Sequence, residues 1–180
     1  MTPEGLIGRD GIDGRIAFAA GLGAVALSGL CDVLDWQVAR GSQKASPFGA
    51  FYDSVMDRFS EGFILTGLAW HFAGGPASGA VSPEACSPAT VAVILLALTG
   101  SFLVSYARAR AEGLGIACRI GLLQRPERFV LLMAALALGT IPGRGYVLMK
   151  GVLVLLALPA NGTAVQRILH LHRVLKGGKA

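Results

Sequence analysis

The chain has 180 residues, of which 53% are hydrophobic and only 15% charged, with a mean hydropathy of +0.60. Soluble domains carry roughly 25% charged residues, so the composition excludes an ordinary water-soluble domain and implies an all-α integral membrane bundle, one domain over residues 1–180. The net charge of +5 does not point to nucleic acid, because the basic residues sit at the ends of apolar spans, where they set topology and meet lipid headgroups or anionic substrates.

Crossing the hydrocarbon takes about 20 apolar residues, and five stretches meet or approach that length. Met1 to Arg15 is polar and Gly-rich and does not read as a cleaved signal peptide. The first membrane helix is expected from Ile16 to Ala39 and the second from Phe48 to Ala73. A loop punctuated by Gly74, Gly75, Pro76, Pro83 and Pro88 leads to the third, Ala89 to Glu112. The fourth, Pro126 to Ile141, is short and can extend back through Arg125, since Pro126 suits a first helical turn. Pro142-Gly143 then turns the chain into the fifth, Tyr146 to Leu171. Cys31, Cys86 and Cys118 lie far apart with no metal-site spacing and are expected to be buried small hydrophobes.

Lys and Arg set the orientation. Arg40, Lys44, Arg58, Arg108, Arg110, Arg119, Arg125, Arg128, Arg167, Arg173, Lys176 and Lys179 fall on one side, whereas the loop from Gly74 to Ser87 has neither residue type. The positive-inside rule puts the first side in the cytoplasm.

On that side stand four carboxylates. Asp32 and Asp35 are three apart, and Asp53 and Asp57 are four apart, so each pair shares a helix face. The intervening loop is short, which makes the two helices antiparallel neighbours and lets the acids converge. A carboxylate in a membrane helix is costly and marks function by default. Pairing with Arg40 and Arg58 as helix glue is the plain alternative, but two arginines cannot balance four acids. Oxygen ligands without nearby His or Cys favour Mg²⁺, Mn²⁺ or Ca²⁺ over zinc. Two divalent ions would neutralise the cluster, and such pairs clamp a pyrophosphate or a transferring phosphoryl group.

The full pattern resembles the signature of the CDP-alcohol phosphatidyltransferases, D-x-x-D-G-x-x-A-R, eight residues, G-x-x-x-D-x-x-x-D. Asp32, Asp35, Ala39, Arg40, Gly49, Asp53 and Asp57 match it with every spacing preserved. The resemblance implies a Mg²⁺- or Mn²⁺-dependent homodimer in the cell inner membrane, its site facing the cytoplasm. It also implies the reaction: an alcohol attacks the lipid-bearing phosphorus of CDP-diacylglycerol and CMP leaves. Asp32, Asp35 and Asp53 would principally hold two metal ions. Asp57 would share in that and serve as the base that deprotonates the acceptor hydroxyl. Trp36, Ala39, Arg40, Gly49 and Lys44 would surround the CDP-lipid; for Lys44, donor phosphate, acceptor phosphate and lipid headgroup all stay open.

Two features depart from the family. Trp36 replaces the glycine after the second aspartate, where a glycine lets the nucleotide approach the backbone. The indole either swings aside and stacks on the cytosine, or reshapes the pocket for another donor, or marks a catalytically silent homologue that keeps its ligands. In addition, the family has six helices, and its first has no counterpart in this sequence; a missing leading segment is the expected reason.

The stretch Ser105 to Arg128, with its Ala-Arg-Ala-Glu run and Arg-Pro-Glu-Arg turn, resembles the subgroup that transfers to inositol 1-phosphate. Guanidinium groups at a membrane face suit a dianionic phosphate ester. Arg108, Arg119, Arg125 and Arg167 are the candidates for the acceptor phosphate, while Arg110 and Arg128 have Glu112 and Glu127 as alternative partners. Arg173, Lys176 and Lys179 read as topology anchors, and His71, His170 and His172 as interfacial residues. The expected function is transfer of the phosphatidyl group from CDP-diacylglycerol to a phosphorylated polyol, inositol 1-phosphate being preferred. Glycerol 3-phosphate as acceptor is the rival within the class. An ion-coupled transporter also uses buried acids, but nothing in transport requires this seven-position spacing.

Overall fold

The structure, a computed structural model, describes residues 14–31, 46–74, 86–118 and 120–177. These form five helices: α1 Gly14–Cys31, α2 Pro47–Phe72, α3 Pro88–Glu112, α4 Arg125–Gly139 and α5 Gly145–Gly177. The protein is an all-α membrane bundle.

The helix starts follow local chemistry. Ser46 caps α2 by accepting a hydrogen bond from the Gly49 N–H at 3.0 Å, and Ser87 caps α3 by accepting from the Thr90 N–H. Pro47, Pro88 and Pro126 each occupy a first turn, where a missing N–H costs nothing. The α4 bounds agree with the start allowed for at Arg125. By contrast α5 runs six residues beyond the expected Leu171. Hydropathy ends there, but Arg173 and Lys176 continue the helix outside the apolar stretch, where cations suit its C-terminal dipole.

Three helices, α1, α3 and α5, are long and apolar enough to span a bilayer by composition alone. Helix α2 has 26 residues but carries Asp53, Asp57, Arg58 and Glu61, and α4 has only 15 residues.

Close approach of backbones replaces the hydrophobic drive that packs helices in water. The most extensive packing joins α3 to α5. At their crossing a Cβ on Gly100 would lie 2.7 Å from Asn161 Nδ2 and 2.9 Å from the Asn161 backbone nitrogen. Asn161 Nδ2 donates across the crossing to the Leu96 carbonyl and along its own helix to that of Ala157, both at 2.9 Å. Leu65, Phe72, Ile94, Ala97, Leu153 and Leu156 fill the shared core.

One expectation is corrected. Only Cys118 is buried; Cys31 and Cys86 are exposed. A small hydrophobe is as well satisfied facing lipid as facing the core, so hydrophobicity alone could not place them. His71 lies in the last turn of α2, away from the acids, and is buried at 6% exposure, because Phe18, Phe72 and Tyr146 enclose it.

Candidate functional site

Asp53 and Asp57 lie one turn apart on α2 and both line a cavity of about 920 Å³. The side chain of Asp57 is 10% exposed and ion-paired with Arg125 at the first turn of α4, while Asp53 is exposed. Across the cavity stand Tyr106 and Arg108 near the end of α3, Arg125 and Arg128 at the start of α4, and Arg167 in the last third of α5. The α2 wall carries Asp53 and Asp57 with Arg58, and the other walls are mainly basic, with Glu112 beside Arg108. That division suits a cation held on one side and an anionic ester on the other.

The arginines differ in what holds them. Arg108 is about half exposed and donates to Glu112 at 2.9 Å. Arg110 and Glu112 are two apart and do not face each other on a helix, so the expected Arg110 pairing gives way to the i,i+4 pair. Likewise Arg128 pairs not with its neighbour Glu127 but with Glu61 of α2, through Nε to Oε1 at 3.1 Å and Nη2 to Oε2 at 3.3 Å. Arg167 is 3% exposed and donates Nε–H to the Ile120 carbonyl at 2.9 Å and Nη1–H to the Val104 carbonyl at 2.6 Å. Those two bonds use two of its five N–H groups. Arg58 turns back on the Ser54 carbonyl of its own helix.

Gly49 stands at the start of α2 with its N–H taken by the Ser46 cap, and a Cβ there would lie 3.2 Å from Ser46 Oγ. The signature glycine therefore has a local reason in the cap geometry, independent of any nucleotide. Asp32, Asp35, Trp36, Ala39, Arg40, Lys44 and Arg119 lie outside the described residues. Among the described residues no three His, Cys, Asp or Glu side chains converge as a metal centre, and two of the four expected ligands are among them.

The donor chemistry that is described fits a hard divalent cation. Asp53 and Asp57 offer oxygen on one face, and among the described residues those lining the cavity include neither His nor Cys. A second, smaller cavity of about 250 Å³ lies toward α1, lined by apolar residues such as Val25, Phe63 and Leu132. Asp57, Arg125 and Arg128 border both spaces and form the partition between them.

Sequence reasoning passed over Glu61 and Thr163. Glu61 carried a signal, since it extends the Asp53, Asp57 series by one more turn on the same face. Thr163 carried none: a lone threonine in an apolar helix gives no sign of which backbone it will meet.

Residues 11–161 match the CDP-alcohol phosphatidyltransferase family. The chain is 36% identical over 156 residues to an archaetidylinositol phosphate synthase of Methanothermobacter thermautotrophicus, covering 87% of this chain and 71% of the relative. It is 35% identical over 113 residues to a phosphatidylinositol phosphate synthase of Mycolicibacterium smegmatis, covering 63% of this chain and 47% of the relative. The chain thus spans about half the length of that second relative. Crystal structures of the Mycobacterium tuberculosis phosphatidylinositol phosphate synthase share the fold. The form with CDP-DAG bound superposes with a TM-score of 0.71 at 26% identity, covering 93% of this chain and 85% of that one. The form with manganese and citrate also gives 0.71, at 27% identity, covering 88% and 75%. The chain belongs to the CDP-alcohol phosphatidyltransferase family, enzymes that build phospholipids by phosphatidyl transfer.

Proposed function

We propose that the whole chain acts as one membrane domain that transfers the phosphatidyl group of CDP-diacylglycerol to inositol 1-phosphate, releasing CMP. The observation that carries this reading is the single cavity in which Asp53 and Asp57 face Arg108, Arg125 and Arg167. The relatives support the acceptor: their names differ in the lipid part, archaetidyl against phosphatidyl, but share inositol phosphate.

In this reading Asp32, Asp35, Asp53 and Asp57 hold two Mg²⁺ or Mn²⁺ ions, for which the manganese-bound relative is the support. Bound there, the ions neutralise pyrophosphate charge and polarise the phosphorus under attack. Asp57 accepts the proton of the acceptor hydroxyl, whose oxygen forms the new bond to the lipid-bearing phosphorus. The bond from that phosphorus to CMP breaks, and the proton leaves to solvent. Arg108, Arg119, Arg125 and Arg167 hold the acceptor phosphate, whose double charge favours several guanidinium donors over one. Ala39, Arg40, Gly49 and Lys44 border the CDP-lipid, and Trp36 stacks on its base. Charge distribution along the sequence supports a cytoplasm-facing site in the inner membrane, and the Gly- and Ala-rich helix faces permit a homodimer.

The test uses purified protein with CDP-diacylglycerol, Mg²⁺ and either inositol 1-phosphate, glycerol 3-phosphate or no acceptor. CMP release that depends on inositol 1-phosphate is expected. Release only with glycerol 3-phosphate would replace the acceptor, and binding of CDP-lipid without turnover on either would make the protein a silent homologue.

A further inference from the structure

The loop from Gly113 to Gln124 hands the chain from α3 to α4, and α5 grips it at two levels one helical turn apart. Thr163 Oγ1 accepts the backbone N–H groups of Leu122 at 3.2 Å and Leu123 at 3.3 Å. Arg167, four residues on, donates to the Ile120 carbonyl in the same loop and to the Val104 carbonyl of α3. Thr163 and Cys118 are fully buried and Leu123 nearly so, which shields the Leu123 bond from water, whereas Leu122 and Ile120 are exposed and the Leu122 bond is half-buried.

Between the two levels Gly121 takes a positive φ of 135°, and a Cβ there would lie 2.2 Å from Thr163 Cγ2. A side chain at this position would push the loop off α5 and also strain the backbone. The Thr163 oxygen and the bare Gly121 therefore work together: the loop can approach closely because of the glycine, and is held there by the hydroxyl.

The consequence falls on Arg125. Leu123 is two residues before it, and Gln124 precedes α4 without a side-chain cap of its own. The register at which α4 begins is therefore set by the anchored amides at Leu122 and Leu123. That register carries Arg125 to Asp57 and into the cavity wall. Thr163 itself is not among the residues lining the cavity.

We propose that Thr163 is a positioning residue for the acceptor side of the site, fixing through the Leu122 and Leu123 amides where Arg125 stands. This rests on the acceptor-phosphate role proposed above for Arg125. The hydroxyl oxygen is the operative group, not the bulk of the side chain.

The test compares T163S, which keeps the oxygen, with T163V, which keeps the shape, and with T163C, whose sulfur is a weak acceptor. Acceptor-dependent CMP release is measured at varied inositol 1-phosphate and varied CDP-diacylglycerol, with backbone amide exchange followed at Leu122 and Leu123. T163V should raise KM for the acceptor roughly tenfold, T163C should fall between, and T163S should stay near the wild type. KM for CDP-diacylglycerol should change less than about twofold in all three. Exchange at the two amides should speed up in the same order. Equal acceptor KM in T163S and T163V, or equal rises in both substrates' KM, would overturn the proposal; should T163V not fold, equal values for T163C and T163S would do so. Absence of acceptor-dependent release by the wild type would instead remove the parent reading, and this inference with it.

Discussion

Glu61 of α2 and Arg128 of α4 meet through two parallel hydrogen bonds at 3.1 and 3.3 Å, one turn beyond the Asp57–Arg125 pair on the same two helices. Arg128 is 3% exposed, and the Glu61 side chain 15%. Removing one partner of such a pair leaves a buried charge alone, which costs roughly 3–5 kcal/mol, whereas replacing both with apolar residues is often neutral. E61A and R128A should therefore each lower the melting temperature in detergent by roughly 6–20 °C. The double variant E61L/R128L should recover most of the loss. If the double variant is as unstable as the singles, the rung contributes through packing and not through charge.

Asp57→Asn keeps the side-chain shape but removes the negative charge on which the base and metal-ligand roles proposed for Asp57 depend. Turnover should fall roughly 10²–10⁴-fold, measured as CMP release, with the melting temperature close to that of the wild type. A residual rate within tenfold would move the base elsewhere.

Chelation tests the donor set. EDTA should abolish CMP release, and Mg²⁺ or Mn²⁺ should restore it, since carboxylate oxygens suit these ions. Restoration by Zn²⁺ alone would contradict a site built from Asp32, Asp35, Asp53 and Asp57.

How much of this could be read from the residues depends on the range of the interaction. The five helices were legible because hydropathy over about 20 residues is a local property. The Asp53, Asp57 face was legible because i,i+4 geometry is fixed within one helix. Contacts between helices were not. Arg128 has a carboxylate beside it at Glu127, yet pairs with Glu61, which sits 67 positions away. Which helix faces which decides the partner, and nothing local encodes that. Arg167 shows the same limit: its charge marked it as a phosphate ligand, but it is buried and donates to the Val104 carbonyl of α3 and to the Ile120 carbonyl of the following loop. Asp32, Asp35, Trp36, Ala39, Arg40, Lys44 and Arg119 lie outside the described residues, and their expected roles rest on the sequence pattern.

Trp36 is open to a direct test. If its indole stacks on the cytosine, W36G should raise KM for CDP-diacylglycerol by about 5- to 150-fold, since base–aromatic stacking contributes about 1–3 kcal/mol per base. Acceptor KM should be unchanged. Faster turnover in W36G would instead mean that the indole obstructs the nucleotide.

Gly100 and Gly67 give opposite predictions for the same substitution. At Gly100 a methyl group meets the Asn161 backbone nitrogen at 2.9 Å and the Ala160 Cβ at 3.0 Å, so α3 and α5 must move apart. Such overpacking costs about 1–3 kcal/mol, and the Asn161 bond to the Leu96 carbonyl would lengthen with it. At Gly67 in α2 nothing lies within 4 Å of the added carbon, and alanine in a helix interior gains roughly 0.5–1 kcal/mol over glycine. G100A should therefore melt below the wild type and G67A at or above it in the same detergent. Equal melting of G100A and G67A would mean that the α3–α5 crossing is looser than the Gly100–Asn161 contact implies.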